Sequence, residues 1–165
     1  MSTLTIERLR AALNYDPVTG VFTWKIRTSP RVAPGDVAGH LGKSGYVSLR
    51  LDGVLHQAHR LAWFYVHGEW PVDDLDHKDT MKSHNALGNL RPATDSQNLA
   101  NVSLRADNCS GVKGVSWRAR SKKWRAQIKV RGREYYLGLF DTIPAAAEAY
   151  NNAAAKHFGE YARTV

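Results

Sequence analysis

Five residues able to do chemistry fall close together: Asp76, His77, Asn85, Asn89 and Asn98. His77 and Asn89 are 12 positions apart, and Asn89 and Asn98 are 9 apart. A neutral imidazole can take a proton from water at neutral pH. Carboxylate and amide oxygens are hard donors, better suited to magnesium or manganese than to zinc. Cutting a phosphodiester calls on both, since water must be activated and charge develops on the phosphoryl oxygens and the departing 3′-oxygen. Buried amides and carboxylates also need partners, and a metal ion would supply one.

These residues must be positioned by short elements. Leu4, Ile6, Leu9 and Leu13 have helical spacing, with Ser2 or Thr3 available as the cap. Asp16-Pro17-Val18-Thr19-Gly20 signals a turn and Val21 to Trp24 a strand. Val47, Leu49 and Leu51 alternate with Tyr46, Ser48 and Arg50 before Asp52-Gly53, which predicts a hairpin returning through Val54 to His56. Ala58 to Val66 reads as a buried helix. The stretch from Asp76 to Pro92 has no periodicity and reads mostly as loop. Thr94 with Gln97 has capping-box spacing, so a helix begins at Asp95 and carries Asn98 one turn in.

Leu75-Asp76-His77, then Ser83 to Thr94 (SHNALGNLRPAT), then Gln97-Asn98 resembles the HNH endonuclease family. The likeness is to its phage and intron-encoded branch, whose last motif residue is Asn. Ala58-His59-Arg60-Leu61 also resembles the family, and the resemblance covers roughly residues 20 to 101. It implies a ββα-metal fold around one divalent cation, Mg2+ or Mn2+. Carried over by position, His77 is the general base, and Asp76 and Asn98 are the metal ligands. Asn89 is the middle catalytic-motif residue that holds the loop and orients the histidine. Adjacent strand residues face opposite ways, so the convergence of Asp76 and His77 rests on the resemblance. Read singly, His77 would be a loop histidine bonded to backbone; four residues at two matching spacings argue against that. His40, His56, His67 and His84 read as structural, His59 as packing or bonding under the site, and Asp79 as a solvated loop acid rather than an extra ligand.

Charge is unevenly spread. Residues 1–110 hold 12 Lys/Arg and 11 Asp/Glu, a balance of +1; residues 111–165 hold 11 and 4, a balance of +7. Such a local field favours a polyanion. In residues 124–131 (WRAQIKVR), Trp124, Ala126, Ile128 and Val130 point one way, and Arg125, Gln127, Lys129 and Arg131 the other. Ser116, Arg118 and Arg120 share a face in the preceding strand, and Tyr135 to Phe140 forms a third. A helix led by Asp141 or Thr142 and closed by Gly159 presents Ala147, Tyr150, Ala154 and Phe158. The other side of the sheet is left exposed and rich in Arg, Lys and Gln, able to enter a major groove.

Gly114-Val115, Trp124, Ala126, Ile128, Tyr136-Leu137-Gly138, Phe140-Asp141-Thr142, Ala146-Ala147 and Ala149-Tyr150 resemble the APETALA-type (ethylene-response-factor) DNA-binding domain over residues 110 to 163. The resemblance places DNA-facing residues at Lys113, Ser116, Arg118, Gln127, Lys129 and Tyr136. The alternation adds Arg120 and Arg125. Ser116 and Gln127 depart from the plant pattern, so the plant recognition sequence does not transfer.

The chain of 165 residues, 43% apolar and 23% charged, holds one domain or two small ones and is too apolar for disorder. No window reaches a membrane span, and residues 1–4 lack a secretory start. Cys109 stands alone, so one chain makes neither a disulfide framework nor a cysteine zinc site, and a cytoplasmic setting is expected. The expectation is an α+β chain: an HNH nuclease domain at 1–101, a linker at 102–110, and a DNA-binding domain at 111–165 with a three-stranded antiparallel sheet packed on one helix. It would act as a metal-dependent homing endonuclease on double-stranded DNA, and the HNH resemblance implies 5′-phosphate and 3′-hydroxyl ends. It would be a monomer or weak dimer with no small-molecule cofactor. The rival is a catalytically silent DNA-binding regulator. RNA is disfavoured because its deep A-form groove resists sheet insertion.

Overall fold

The computed structural model describes residues 4–101, 104 and 108–162. By contacts the chain divides into Met1–Pro92 and Ala93–Val165. No helix among the described residues is long and apolar enough to cross a membrane.

In the first unit, α1 (Ile6–Ala12) is capped by Thr5, whose hydroxyl accepts from the Arg8 N–H at 3.2 Å. The cap therefore lies later than Ser2 or Thr3, and Leu13 begins a strand instead of ending the helix. That strand, β1 (Leu13–Tyr15), pairs antiparallel with β2 (Phe22–Trp24). β3 (His40–Leu41), β4 (Val47–Leu51) and β5 (Val54–Gln57) form a second sheet in that order, with the β4–β5 hairpin turning at Asp52-Gly53 as predicted. α2 (Ala58–His67) ends at Gly68 in the left-handed region. Leu9, Leu13, Phe22, Leu49 and Leu61 are fully buried in this core. Each contributes roughly 1.5–3 kcal/mol by its burial.

The segment predicted to be mostly loop contains two hydrogen-bonded strands, β6 (Asp74–His77) and β7 (Leu90–Ala93). Their sequences, DLDH and LRPA, are too short and too polar to carry alternation. The first turn supports the loop between them. Tyr15 Oη donates to the Asn85 carbonyl at 2.8 Å, and the Leu87 N–H donates to the Pro17 carbonyl at 2.9 Å. Gly20, at φ +75°, lies so close that a Cβ there would be 2.3 Å from the Asn85 carbonyl carbon and the Ala86 nitrogen.

In the second unit, α3 (Asp95–Asn101) starts with the predicted capping box. Gln97 Oε1 accepts from the Thr94 N–H at 2.9 Å, and Thr94 Oγ1 accepts from the Gln97 N–H at 3.4 Å. β8 (Val115–Arg118), β9 (Lys123–Val130) and β10 (Arg133–Phe140) form an antiparallel sheet with β9 central. α4 (Ile143–Phe158), capped by Thr142, contributes Ala146, Tyr150, Ala154 and Phe158 to a core with Val115, Ala126 and Ile128. Much of the expected linker lies outside the described residues.

Gly114 shows why this packing needs a glycine. It sits at φ +70°, and a Cβ would stand 2.3 Å from the Gln127 carbonyl oxygen and 2.4 Å from the Tyr150 ring. Gly114→Ala is expected to destabilise the second unit by about 2–4 kcal/mol, read as a lowered denaturation midpoint; an unchanged midpoint would contradict this packing.

Candidate active site

The strand ends at His77, and there Asp76 and His77 take different partners. Asp76, on β6, accepts with Oδ2 from Arg91 Nε at 3.0 Å and Nη2 at 2.9 Å, a buried ion pair to β7. His77 is 4% exposed, and its Nε2 meets Asn85 Oδ1 at 3.2 Å. Asn85 Nδ2 donates to the Ser83 carbonyl at 3.2 Å, so the amide oxygen is the atom turned toward the imidazole. This network assigns the hydrogen of neutral His77 to Nε2 and the basic lone pair to Nδ1.

Hydrogen bonds, with little apolar packing, close the loop between these residues. Asn89 Nδ2 donates to Asp79 Oδ1 at 3.0 Å and to the His84 carbonyl at 2.8 Å, and its Oδ1 accepts from the Asp79 N–H at 3.1 Å. Asp79 also accepts from the Met81 N–H at 2.8 Å and pairs through Oδ2 with His84 Nδ1 at 2.5 Å. Burial opposes ionisation of Asp79, but the bonds from His84, Met81 and Asn89 outweigh it and hold its pKa below the usual carboxylate range. Asp79 is therefore a structural member of the loop. Asn89 bonds only within the loop in these contacts, to Asp79 and the His84 carbonyl, while the amide that meets His77 belongs to Asn85.

Two aromatic groups stand against His77. The His59 ring stands edge-on to His77 at 5.2 Å between centroids, and Tyr46 lies 5.1 Å from His59 and 6.0 Å from His77. Burial, with help from His77 and Arg60, pushes His59 down to about 3, and its Nδ1 is buried with no partner among the described residues. Burial also lowers the His77 pKa, against the opposing effects of Asn85, Asp79 and Asp76, so at neutral pH the ring is ready to accept a proton.

Asn98 sits half-buried on α3, in the second unit, one turn beyond Thr94, whose carbonyl its N–H meets at 2.9 Å. On the sheet, Ser116 pairs with Arg125 and Gln127 with Tyr136, with Arg118 and Lys129 exposed alongside. Three expectations change here. Arg120 lies in the turn after β8, because the strand ends at Arg118. Lys113 donates its ammonium to the Ala100 carbonyl at 2.8 Å, capping α3. Glu134 pairs with Lys129, so the exposed side is not purely cationic. Arg125 is half-buried, and its Nε has no partner among the described residues.

Sequence reading placed Asn85 in the chemical cluster without assigning it a part there, and gave Arg91 none. Asn85 carried a signal, an amide eight residues after His77, but nothing distinguished it from Asn89. Arg91 carried none, because a basic residue beside a proline predicts no particular carboxylate.

Two outcomes follow. Asn85→Leu should lower turnover about 10²-fold by freeing the tautomer and ring of His77, with a far smaller change in thermal midpoint; wild-type turnover would remove Asn85 from the site. Unfolded imidazoles take up protons below about pH 6.5, whereas folded His59 stays neutral to about 3. Over that window the unfolded state binds more protons, so stability falls as pH drops. The thermal midpoint should therefore be lower at pH 5 than at pH 7.5, and His59→Phe should shrink that difference; an undiminished difference would show that His59 is not its source.

The sequence profile of the HNH endonuclease family matches residues 56–100, a span holding Asp76, His77, Asn85, Asn89, Arg91 and Asn98. Protein 3.8 of Escherichia phage T7 is 32% identical over 89 residues, which are 54% of this chain and 73% of that protein. An HNH endonuclease of Acanthamoeba polyphaga mimivirus is 36% identical over 126 residues, 74% of this chain and 64% of that one. Among solved structures, the HNH homing endonuclease I-HmuI is similar with a TM-score of 0.45 at 20% identity, covering 94% of this chain and 90% of that one. A shorter match joins 50 residues, 30% of this chain, at 44% identity to 10% of an AP2-like ethylene-responsive transcription factor of Arabidopsis thaliana. With a phage relative matched over most of its length and the family profile lying across the Asp76–Asn98 segment, the chain belongs to the HNH endonuclease family.

Proposed function

We propose that this endonuclease is a metal-dependent, site-directed enzyme of the homing type. In this reading residues 1–101 cut double-stranded DNA and residues 111–165, an APETALA-type domain, find the site. The observation that carries it is the imidazole of His77, buried, neutral and fixed through Nε2 by Asn85, on the same strand as the Asp76 carboxylate. That is what removing a proton from water requires.

Asp76 and Asn98 would hold the cation. Among the described residues no three His, Cys, Asp or Glu side chains gather into a metal-binding group. A carboxylate and an amide are too few for an all-protein cage but fit a hard ion that completes its shell with water and phosphate. Arg91 fixes the direction of the Asp76 carboxylate. When bound, magnesium or manganese would stabilise charge on the phosphoryl and departing oxygens.

The DNA-facing set is Ser116, Arg118, Arg125, Gln127, Lys129 and Tyr136, with Arg120 reaching from the turn. Exposed arginine can read guanine, and glutamine adenine. The short plant match supports this assignment. A single active site per chain fits nicking by a monomer or weak dimer in the cytoplasm of a bacterium or infected host cell.

With magnesium or manganese, the wild-type chain should nick supercoiled plasmid. His77→Ala should lose about 10²-fold or more in rate while its gel shift persists. DNA left intact by both proteins under several metals, with gel shifts unchanged, would instead establish a silent DNA-binding regulator.

A further inference from the structure

We propose that His84 is the proton donor to the departing 3′-oxygen, its ring held for that task by Asp79. The proposal rests on the nuclease reading, with His77 as base.

His84 is built into the loop more firmly than an exposed side chain needs. Its Nδ1 meets Asp79 Oδ2 at 2.5 Å, its N–H donates to the Met81 carbonyl at 2.9 Å, and its carbonyl accepts from Asn89 at 2.8 Å. Asp79 is in turn fixed by the Met81 N–H and by Asn89. A carboxylate on Nδ1 sets the ring orientation and leaves Nε2 to exchange the proton. The side chain is 44% exposed, so a substrate can reach it.

His84 is also placed beside the base. It precedes Asn85, whose amide oxygen meets His77 Nε2 at 3.2 Å, and its ring is bonded to Asp79, two residues after His77. The other groups nearby are unsuited. His59 stays neutral to about 3, and Asp79 is held ionised. The Lys78 ammonium bonds the Gly88 carbonyl, and that of Lys82 lies over the Tyr46 ring. An imidazole is the side chain whose ordinary range lets it release a proton at neutral pH.

The step balances. As the water oxygen bonds to phosphorus, its proton passes to His77 Nδ1. The bond from phosphorus to the 3′-oxygen breaks, and that oxygen takes the proton from Nε2 of the His84 imidazolium. His84 ends neutral, with Nδ1–H still on Asp79. His77 ends protonated, and exchange with solvent resets both rings.

The test compares the full chain on two DNA substrates that carry oxygen or sulfur as the bridging 3′-atom at the mapped cut position. A thiolate departs without a proton. His84→Asn, which keeps a donor to Asp79, should cut the oxygen substrate about 30-fold more slowly than wild type and the sulfur substrate within about 3-fold of wild type. His77→Ala should be slow on both. Equal slowing of His84→Asn on the two substrates, or slowing on neither, would overturn the proposal. His84→Gln is read identically, so a folding defect in one variant does not decide the result. A wild-type chain inert on the oxygen substrate would remove the nuclease reading itself, and this proposal with it.

Discussion

A segment with almost no apolar residues must be held in one shape, and this is the constraint on which the active site depends. Between His77 and Leu87 the chain runs Lys-Asp-Thr-Met-Lys-Ser-His-Asn-Ala, and of these only Asn85 and Ala86 are buried. Hydrophobic burial cannot fix such a loop, so hydrogen bonds to Asn89 and Asp79 do it. Each bond is worth only about 1 kcal/mol net, but a buried polar group left unpaired costs more. The network is therefore closed throughout. Its far side is clamped to the first turn by Tyr15 and Pro17, which ties the loop to the hydrophobic core.

Orientation of the two adjacent residues follows from the same arrangement. A continuing strand would send Asp76 and His77 to opposite faces. Here the strand stops at His77, and Thr80 takes a left-handed conformation three residues later. The Arg91 fork captures one side chain and the Asn85 amide the other. Both are buried, yet each has a polar partner suited to its charge state: a cation for the carboxylate, and a neutral acceptor for the imidazole.

What was legible in the sequence was whatever carries a local signature. The Asp52-Gly53 hairpin, the Thr94–Gln97 box and the alternating Trp124–Arg131 strand were readable from spacing, and the helix from Ala58 to Val66 from its apolar and aromatic content. Short polar strands were not, since β6 and β7 exist through pairing and ion-pair geometry and not through periodicity. Within the site, residue types were readable but pairings were not. Asn85 and Asn89 are chemically identical, and only three-dimensional placement shows that one meets the His77 ring and the other the loop backbone. Lys113 and Arg120 show the same limit on the basic sheet. A charge count cannot tell that one ammonium caps a helix or that a strand ends two residues early.

The register shift between Tyr136 and Gly138 matters at the margin of that sheet. β10 is an outer strand, and a long, flat outer strand invites another polypeptide to add to it. The irregularity, with the charged pair Arg133 and Glu134 near the strand's start, twists and blunts that border. A sheet that ends in an interrupted, charged border offers a poor template for a further strand, so this unit is protected against edge-to-edge aggregation.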